Sequence, residues 1–390
     1  MKITMISNYI NHHQIPFSQA LYERLGEGYR FIQTEPMEKE RIAMGWGLEA
    51  ERLPYMVFME KNPEYVRELI AESDVLLLGW NNCEELFTSR LGSNKLTIRI
   101  SERLYREGQW KAISPRGLVQ KYKEHIRYRN NPVYLLCNGA CVASDFSLIK
   151  AYPGKKFKFG YFPETKSYSL EELRKNHDWG EVPGEKELQL IWAGRFLPLK
   201  HPEFALRLAD ELKQKGYSFH LHMIGGGELE EELKAYVQKA GLQNTVTFYG
   251  FLPPEEVRLR MENCHIHLFT SNHLEGWGAV VNEAMNSGCT VVGSSRAGAV
   301  PFLIRPGENG LVYEKDDFHE FVRRVEYLFD HPQEGSRMGL AAYQTIAGEW
   351  NAETAAGRLL DFYEQWKAGK ITPPKSGPFS VAENRRGDHV

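Results

Sequence analysis

Short apolar, β-branched runs alternate with amphipathic stretches along the first half of the chain. Lys2 to Ser7, Asp74 to Gly79, Leu96 to Ser101 and Val133 to Cys137 read as strands, and Phe17 to Leu25 has a helical period. Such alternation without hairpin signals predicts a parallel sheet covered on both faces, because parallel strands need crossover connections. A second series begins at Leu188, with strands at Leu188 to Ala193, Phe219 to Ile224, Val246 to Tyr249, Ile266 to Phe269 and Thr290 to Gly293. The pattern therefore predicts an α/β chain of two Rossmann-like, doubly wound parallel-sheet domains, over residues 1–165 and 188–349, facing a cleft. The polar, charged residues 166–187, with a Pro183-Gly184 turn, read as the linker. A final helix over 350–368, with Trp350, Leu359, Phe362, Tyr363 and Trp366 on it, has an apolar face able to pack back on the first domain. Residues 371–390, rich in Pro, Gly and charge, are expected to be disordered.

Composition narrows the classes. A chain of 390 residues is long enough for two cores, and its net charge of −3, from 48 basic and 51 acidic side chains, gives no global field to recruit nucleic acid. The five cysteines are an odd set, and the start MKITMISNYI lacks the pattern of a secretory signal. Both point to a cytoplasmic chain with reduced thiols. The nearly uncharged stretches fall short of the roughly 20 residues that cross a bilayer.

Candidate chemistry concentrates at Glu275-Gly276-Trp277-Gly278 and the helical run Ala279 to Ser287 that follows. Gly276 and Gly278 permit a turn that a ligand can approach closely, and the helix start offers N–H groups to an anion such as a diphosphate. Glu283 is a carboxylate among Val, Ala and Met, and so needs a partner, which the vicinal hydroxyls of a ribose would supply. Glu275 precedes the turn, where it can address whatever lies beyond the phosphates.

The Glu-x7-Glu spacing of Glu275 and Glu283, inside EGWGAVVNEAMNSGCTVVG, resembles that of the retaining family-four glycosyltransferases with the GT-B fold. AGRFLPLKHPEFAL at 193–206, IGGGELEEELKAYVQKAGLQNTVTFYGFLP at 224–253 and RPGENGLVY at 305–313 agree in order and spacing. The resemblance is dense over 187–330 and thin before that. It implies a nucleotide-sugar donor, with Arg195 and Lys200 on its diphosphate and Glu283 on the ribose. It also implies Glu275 on the sugar, with Gly276, Trp277 and Gly278 offering amides nearby. Gly225 and Gly226 would lie under the nucleotide, and Tyr249, Phe251 and Leu252 beside the base. No metal and no cofactor are implied, and the acceptor would be a polysaccharide or a lipid-linked glycan. A nucleotide-sugar epimerase or phosphorylase on the same fold, or a non-catalytic nucleotide-sugar binder, remain alternatives.

The first domain departs from the family pattern. Its first loop reads Ser7-Asn8-Tyr9-Ile10-Asn11-His12-His13-Gln14 where many relatives carry glycines, and Ser101-Glu102-Arg103 stand where some place a histidine. His12 and His13 are candidates for contact with donor or acceptor, against a plain role as polar loop residues. The alternating pairs His220/His222 and His265/His267 are ordinary strand positions before they are zinc ligands. The stretch 103–129 mixes eight basic residues with Leu104, Tyr105, Trp110, Leu118, Val119, Tyr122 and Ile126. That mixture reads equally as a solvated helix face and as a surface for peripheral contact with an anionic membrane, on the inner leaflet of the cell.

Overall fold

The computed structural model describes residues 1–39, 47 and 49–385. It divides into two units, Met1–Glu164 with Asn351–Val390, and Thr165–Trp350. In the first unit, β1 (Ile3–Ser7), β2 (Tyr29–Gln33), β3 (Met56–Phe58), β4 (Val75–Leu78), β5 (Leu96–Ser101), β6 (Val133–Asn138) and β7 (Lys156–Phe159) form one sheet. The order is β3-β2-β1-β4-β5-β6-β7, with every pairing parallel. The second unit has β8 (Leu188–Ala193), β9 (Phe219–Ile224), β10 (Val246–Phe248), β11 (Ile266–Phe269), β12 (Thr290–Ser294) and β13 (Leu311–Tyr313), ordered β10-β9-β8-β11-β12-β13 and again parallel. Each sheet thus reverses its winding once, between β1 and β4 and between β8 and β11. These reversals are the switch points where doubly wound sheets leave a crevice.

The inner strands are buried on both faces, as β1, β4 and β11 show along their whole length, which is why apolar residues predominate in them. Each unit has its own core. Leu190, Leu221, Leu268, Phe321 and Val325 lie in that of the second, and Leu76, Leu135, Phe146 and Tyr152 in that of the first. No helix among the described residues is long and apolar enough to cross a membrane.

Two boundary expectations need correction. The stretch 166–187 is no loose linker but part of the second unit. Ser169 and Glu172 form a capping box for a helix at Leu170–Asn176. Asn286 receives the Lys166 amide at 2.8 Å and donates to the Lys166 carbonyl at 3.1 Å, His177 Nε2 bonds the Ser287 carbonyl at 2.8 Å, and Trp179 packs on Gly335. Its polar composition belongs to its exposed side. The tail is also ordered from 371 to 385; residues 386–390 lie outside the described residues. Lys158 N–H bonds the Ser380 carbonyl at 2.7 Å, Phe379 N–H bonds Lys158 at 2.8 Å and Ala382 N–H bonds Lys156 at 3.0 Å, so the tail covers the open edge of β7. The buried ring of Phe379 fixes it against Phe159 and Phe362. Phe362 belongs to the helix Ala352–Lys367, which packs on the helix Ile15–Leu25 of the same unit.

Candidate functional site

The second unit gathers its candidate residues in the loops that leave the carboxyl ends of β8, β9, β10 and β11. Backbone bonds stitch the first three loops together. Gly194 N–H bonds Ile224 O at 3.0 Å, Phe196 N–H bonds Gly226 O at 2.8 Å, and Gly225 N–H bonds Gly250 O at 2.8 Å. This closeness explains the glycines. Gly225 has φ +128°, and a Cβ there would lie 1.9 Å from the Gly194 carbonyl oxygen. No other residue fits without moving the backbone. Gly226 supports the ring of Phe251, which is 56% exposed, a large apolar plane held in solvent at the strand ends. Arg195, in the same cluster of loops, is exposed.

Lys200 and Glu275 form an ion pair, each largely withdrawn from solvent. Two residues that the sequence analysis did not single out hold this pair. Thr270, just past β11, accepts the indole N–H of Trp192 at 2.8 Å and donates to the Lys200 carbonyl at 2.6 Å. Asn272 donates its backbone N–H to the Leu199 carbonyl at 2.9 Å and accepts the Leu274 N–H on its side chain at 2.9 Å, which shapes the turn delivering Glu275. Its Nδ2 also lies 3.2 Å from His201 Nε2. His201 adopts a left-handed conformation, φ 46°, before Pro202, a placement that costs strain and that its other ring nitrogen, 2.7 Å from Glu203, helps hold. No sequence signal marks these braces, because each is a contact across loops rather than a spacing within one.

Past Glu275 the chain turns at Gly278, φ +90°, where a Cβ would lie 2.4 Å from the ring of Phe269. Trp277 is 1% exposed. Its indole donates to Asn282 Oδ1 at 2.8 Å and packs beside Phe302 and Trp350, so its side chain is a core anchor and only its backbone is available to a ligand. The helix Val280–Asn286 follows with seven residues, shorter than the run from Ala279 to Ser287 suggests. Glu283 sits on it, partly exposed, and removal from water pushes its carboxyl up to about 7 while Arg258 pulls the other way. Arg258 is buried and donates to Asn286, so one fixed cation serves both the carboxylate and the clip holding residue 166.

The other predicted residues are placed as follows. Tyr249 continues the ladder beyond β10. Its hydroxyl is 2.9 Å from His222 Nδ1 and Arg260 lies 4.0 Å over its ring, so its side chain is engaged on the sheet face. Leu252 is half-buried beside Phe251. His12 and His13 lie in the first unit, after the carboxyl end of β1, half-buried with ring centroids 3.8 Å apart; the His13 backbone N–H bonds Asn11 Oδ1 at 3.0 Å.

The second unit is thus a parallel doubly wound sheet whose glycine turns, cations and carboxylates gather at one end, where such sheets have their switch point. The particular family follows from comparison. Residues 174–345, which lie within the second unit, match the family model described as "Glycosyl transferases group 1". Among curated relatives, the amylovoran biosynthesis glycosyltransferase AmsK of Erwinia amylovora is 27% identical over 46% of this chain and 45% of its own length. The 2-deoxystreptamine glucosyltransferase of Streptomyces kanamyceticus is 28% identical over 52% of this chain and 51% of its own. The chain thus spans about half the length of the curated relatives it matches. Among solved structures, Anabaena HepE in complex with UDP superposes with a TM-score of 0.65 at 14% identity, over 94% of this chain and 100% of that one. Sucrose-phosphate synthase from Thermosynechococcus elongatus gives 0.63 at 17% identity, over 95% and 100%. These likenesses establish the fold, GT-B, which the chain shares.

Proposed function

We propose that the chain is a retaining glycosyltransferase that moves a sugar from a nucleoside-diphosphate donor, a UDP- or GDP-sugar, to a polysaccharide or lipid-linked acceptor. The single observation that carries this reading is the Lys200–Glu275 pair braced at the switch point of a group 1 domain. Support comes also from the relatives: HepE was crystallised with UDP and glucose, and AmsK is a biosynthetic glycosyltransferase. In the proposed reaction the bond from the anomeric carbon to the diphosphate breaks and a bond to an acceptor oxygen forms on the same face. The acceptor proton passes to the departing diphosphate. Negative charge grows on that diphosphate, and Lys200 with Arg195 offsets it, without a metal ion. Lys200 leaves Glu275 to make this contact, which frees the carboxylate for the hydroxyls of the transferred sugar. Glu283 takes the ribose, Gly225 and Gly226 let the nucleotide approach the backbone, and Phe251 offers its exposed ring to the base. His12 and His13 are proposed to face the acceptor side of the reaction.

The test is release of nucleoside diphosphate from UDP- and GDP-sugars. Glu275→Ala is expected to lower turnover by at least a hundredfold, the usual cost of one transition-state contact, while nucleotide binding persists. Turnover at the parent rate in Glu275→Ala would sink the assignment, and a binder without any turnover in the parent would favour the non-catalytic alternative.

A further inference from the structure

The surface of the first unit over residues 108–129 has the construction of an inverted helix. Pro115–Glu124 is helical, starts from the Ser114 side chain, and buries none of its residues. Gly117, Lys121 and Glu124 are its half-buried positions, whereas Leu118, Val119 and Tyr122 are exposed by 39%, 57% and 56%. At 100° per residue, these three share one stripe with Pro115, and Arg116 and Lys123 border it. The preceding turn, Gln109–Ile113, adds Trp110 at 66% and Ile113 at 79% exposure. A soluble helix normally turns its apolar stripe to the core and its charges to water; here the polar and small residues face the protein. Arg103, from the same sequence stretch, does not belong to this surface, because it is buried against Asp145 at 3.3 Å. The remaining charge is one-sided. Lys111 pairs with Glu107, and Lys121, on the inward side, pairs with Glu124, which leaves Arg116, Lys123, Arg127 and Arg129 as the cations of this surface, in a chain whose net charge is −3.

We infer that this helix and turn form a docking surface for an anionic phospholipid bilayer. The charge complement selects the occupant. A second copy of this chain would bring the same excess of cations against itself, and a neutral apolar partner would leave the arginines and lysines without use. A bilayer with acidic headgroups meets both features at once, since apolar side chains enter below the headgroups while lysine and arginine stems reach the phosphates. A tryptophan and a tyrosine on the outward side suit the interface, where an amphipathic ring lies at headgroup level.

The test is co-sedimentation of the full chain with vesicles of phosphatidylcholine alone and of phosphatidylcholine with phosphatidylglycerol. Binding to the anionic vesicles at low salt, lost at high salt and absent from the neutral ones, is the expected result. Each basic residue near such a surface is worth about a fivefold change in partitioning, so Arg116→Gln with Lys123→Gln is expected to weaken binding about 25-fold. Trp110→Ser with Val119→Ser is expected to weaken it by removing insertion, and since these side chains are exposed, neither pair of changes should lower the melting temperature. Equal partitioning to both vesicles, or none to either, overturns the inference. So does a dimer in solution that Trp110→Ser with Val119→Ser dissolves while vesicle binding stays unaffected, because the surface would then be an interface between copies.

Discussion

Glu283 is the candidate site residue whose surroundings move its carboxyl well above the ordinary range. With its carboxyl held at about 7 against an unfolded value near ~4.3, the folded state retains a proton that the unfolded state gives up. Its contribution to stability is therefore complete below ~4.3 and is lost as pH rises to about 7. Glu283→Gln keeps the shape without the charge, so it is expected to melt above the parent at pH 8, with a gap that narrows steadily toward pH 5. A gap that stays constant with pH would mean that the carboxyl does not titrate in this window. Sequence alone revealed that Glu283 is a carboxylate among apolar neighbours on a helix. It could not reveal Arg258, some 25 residues upstream and joined to it only by the fold. Glycine was more legible: Gly225 and Gly278 stand out in a sequence because no other residue tolerates their φ or the backbone and ring atoms against them. Thr270 and Asn272 are unremarkable as letters, and their importance rests on partners in the loop after β8.

At the scale of elements, the strands read from the sequence are those in which apolar residues predominate, β4 throughout and β8 and β11 with one polar residue each, because burial writes itself as composition. β2, β3, β7 and β13 went unread for a physical reason. β2 is interrupted by Arg30, β3 and β13 have three residues each, and β7 alternates Lys and Phe because one of its faces stays near solvent. The tail defied its composition in the same way. Pro, Gly and charge suggested disorder, but a few well-placed contacts, with Phe379 at their centre, tie residues 371–385 to the edge of β7. Phe379→Ala is expected to cost about 3–5 kcal/mol, measured by equilibrium denaturation. A loss below ~0.5 kcal/mol, the usual effect of a surface substitution, would mean that the tail is not part of the folded unit. The linker was misread likewise: a capping box and the Asn286 clip outweigh a polar average.

At the scale of the whole molecule, the two parallel sheets, each with one switch point, were legible from the alternation of strands and helices, and the second unit from its motifs as well. The family match covers 174–345 within the second unit, and the first unit carries no comparable motif. The central claim is that the loops at the carboxyl ends of β8 to β11 hold a nucleoside diphosphate. The most direct measurement is a thermal-shift titration of the intact chain with UDP, GDP, dTDP and ADP. A ligand at a hundred times its dissociation constant stabilises the folded state by about 2.7 kcal/mol, so a rise in melting temperature with one of the four is predicted, reduced in both Arg195→Ala and Glu283→Ala. No rise with any of them, or a rise that both variants keep in full, would contradict it.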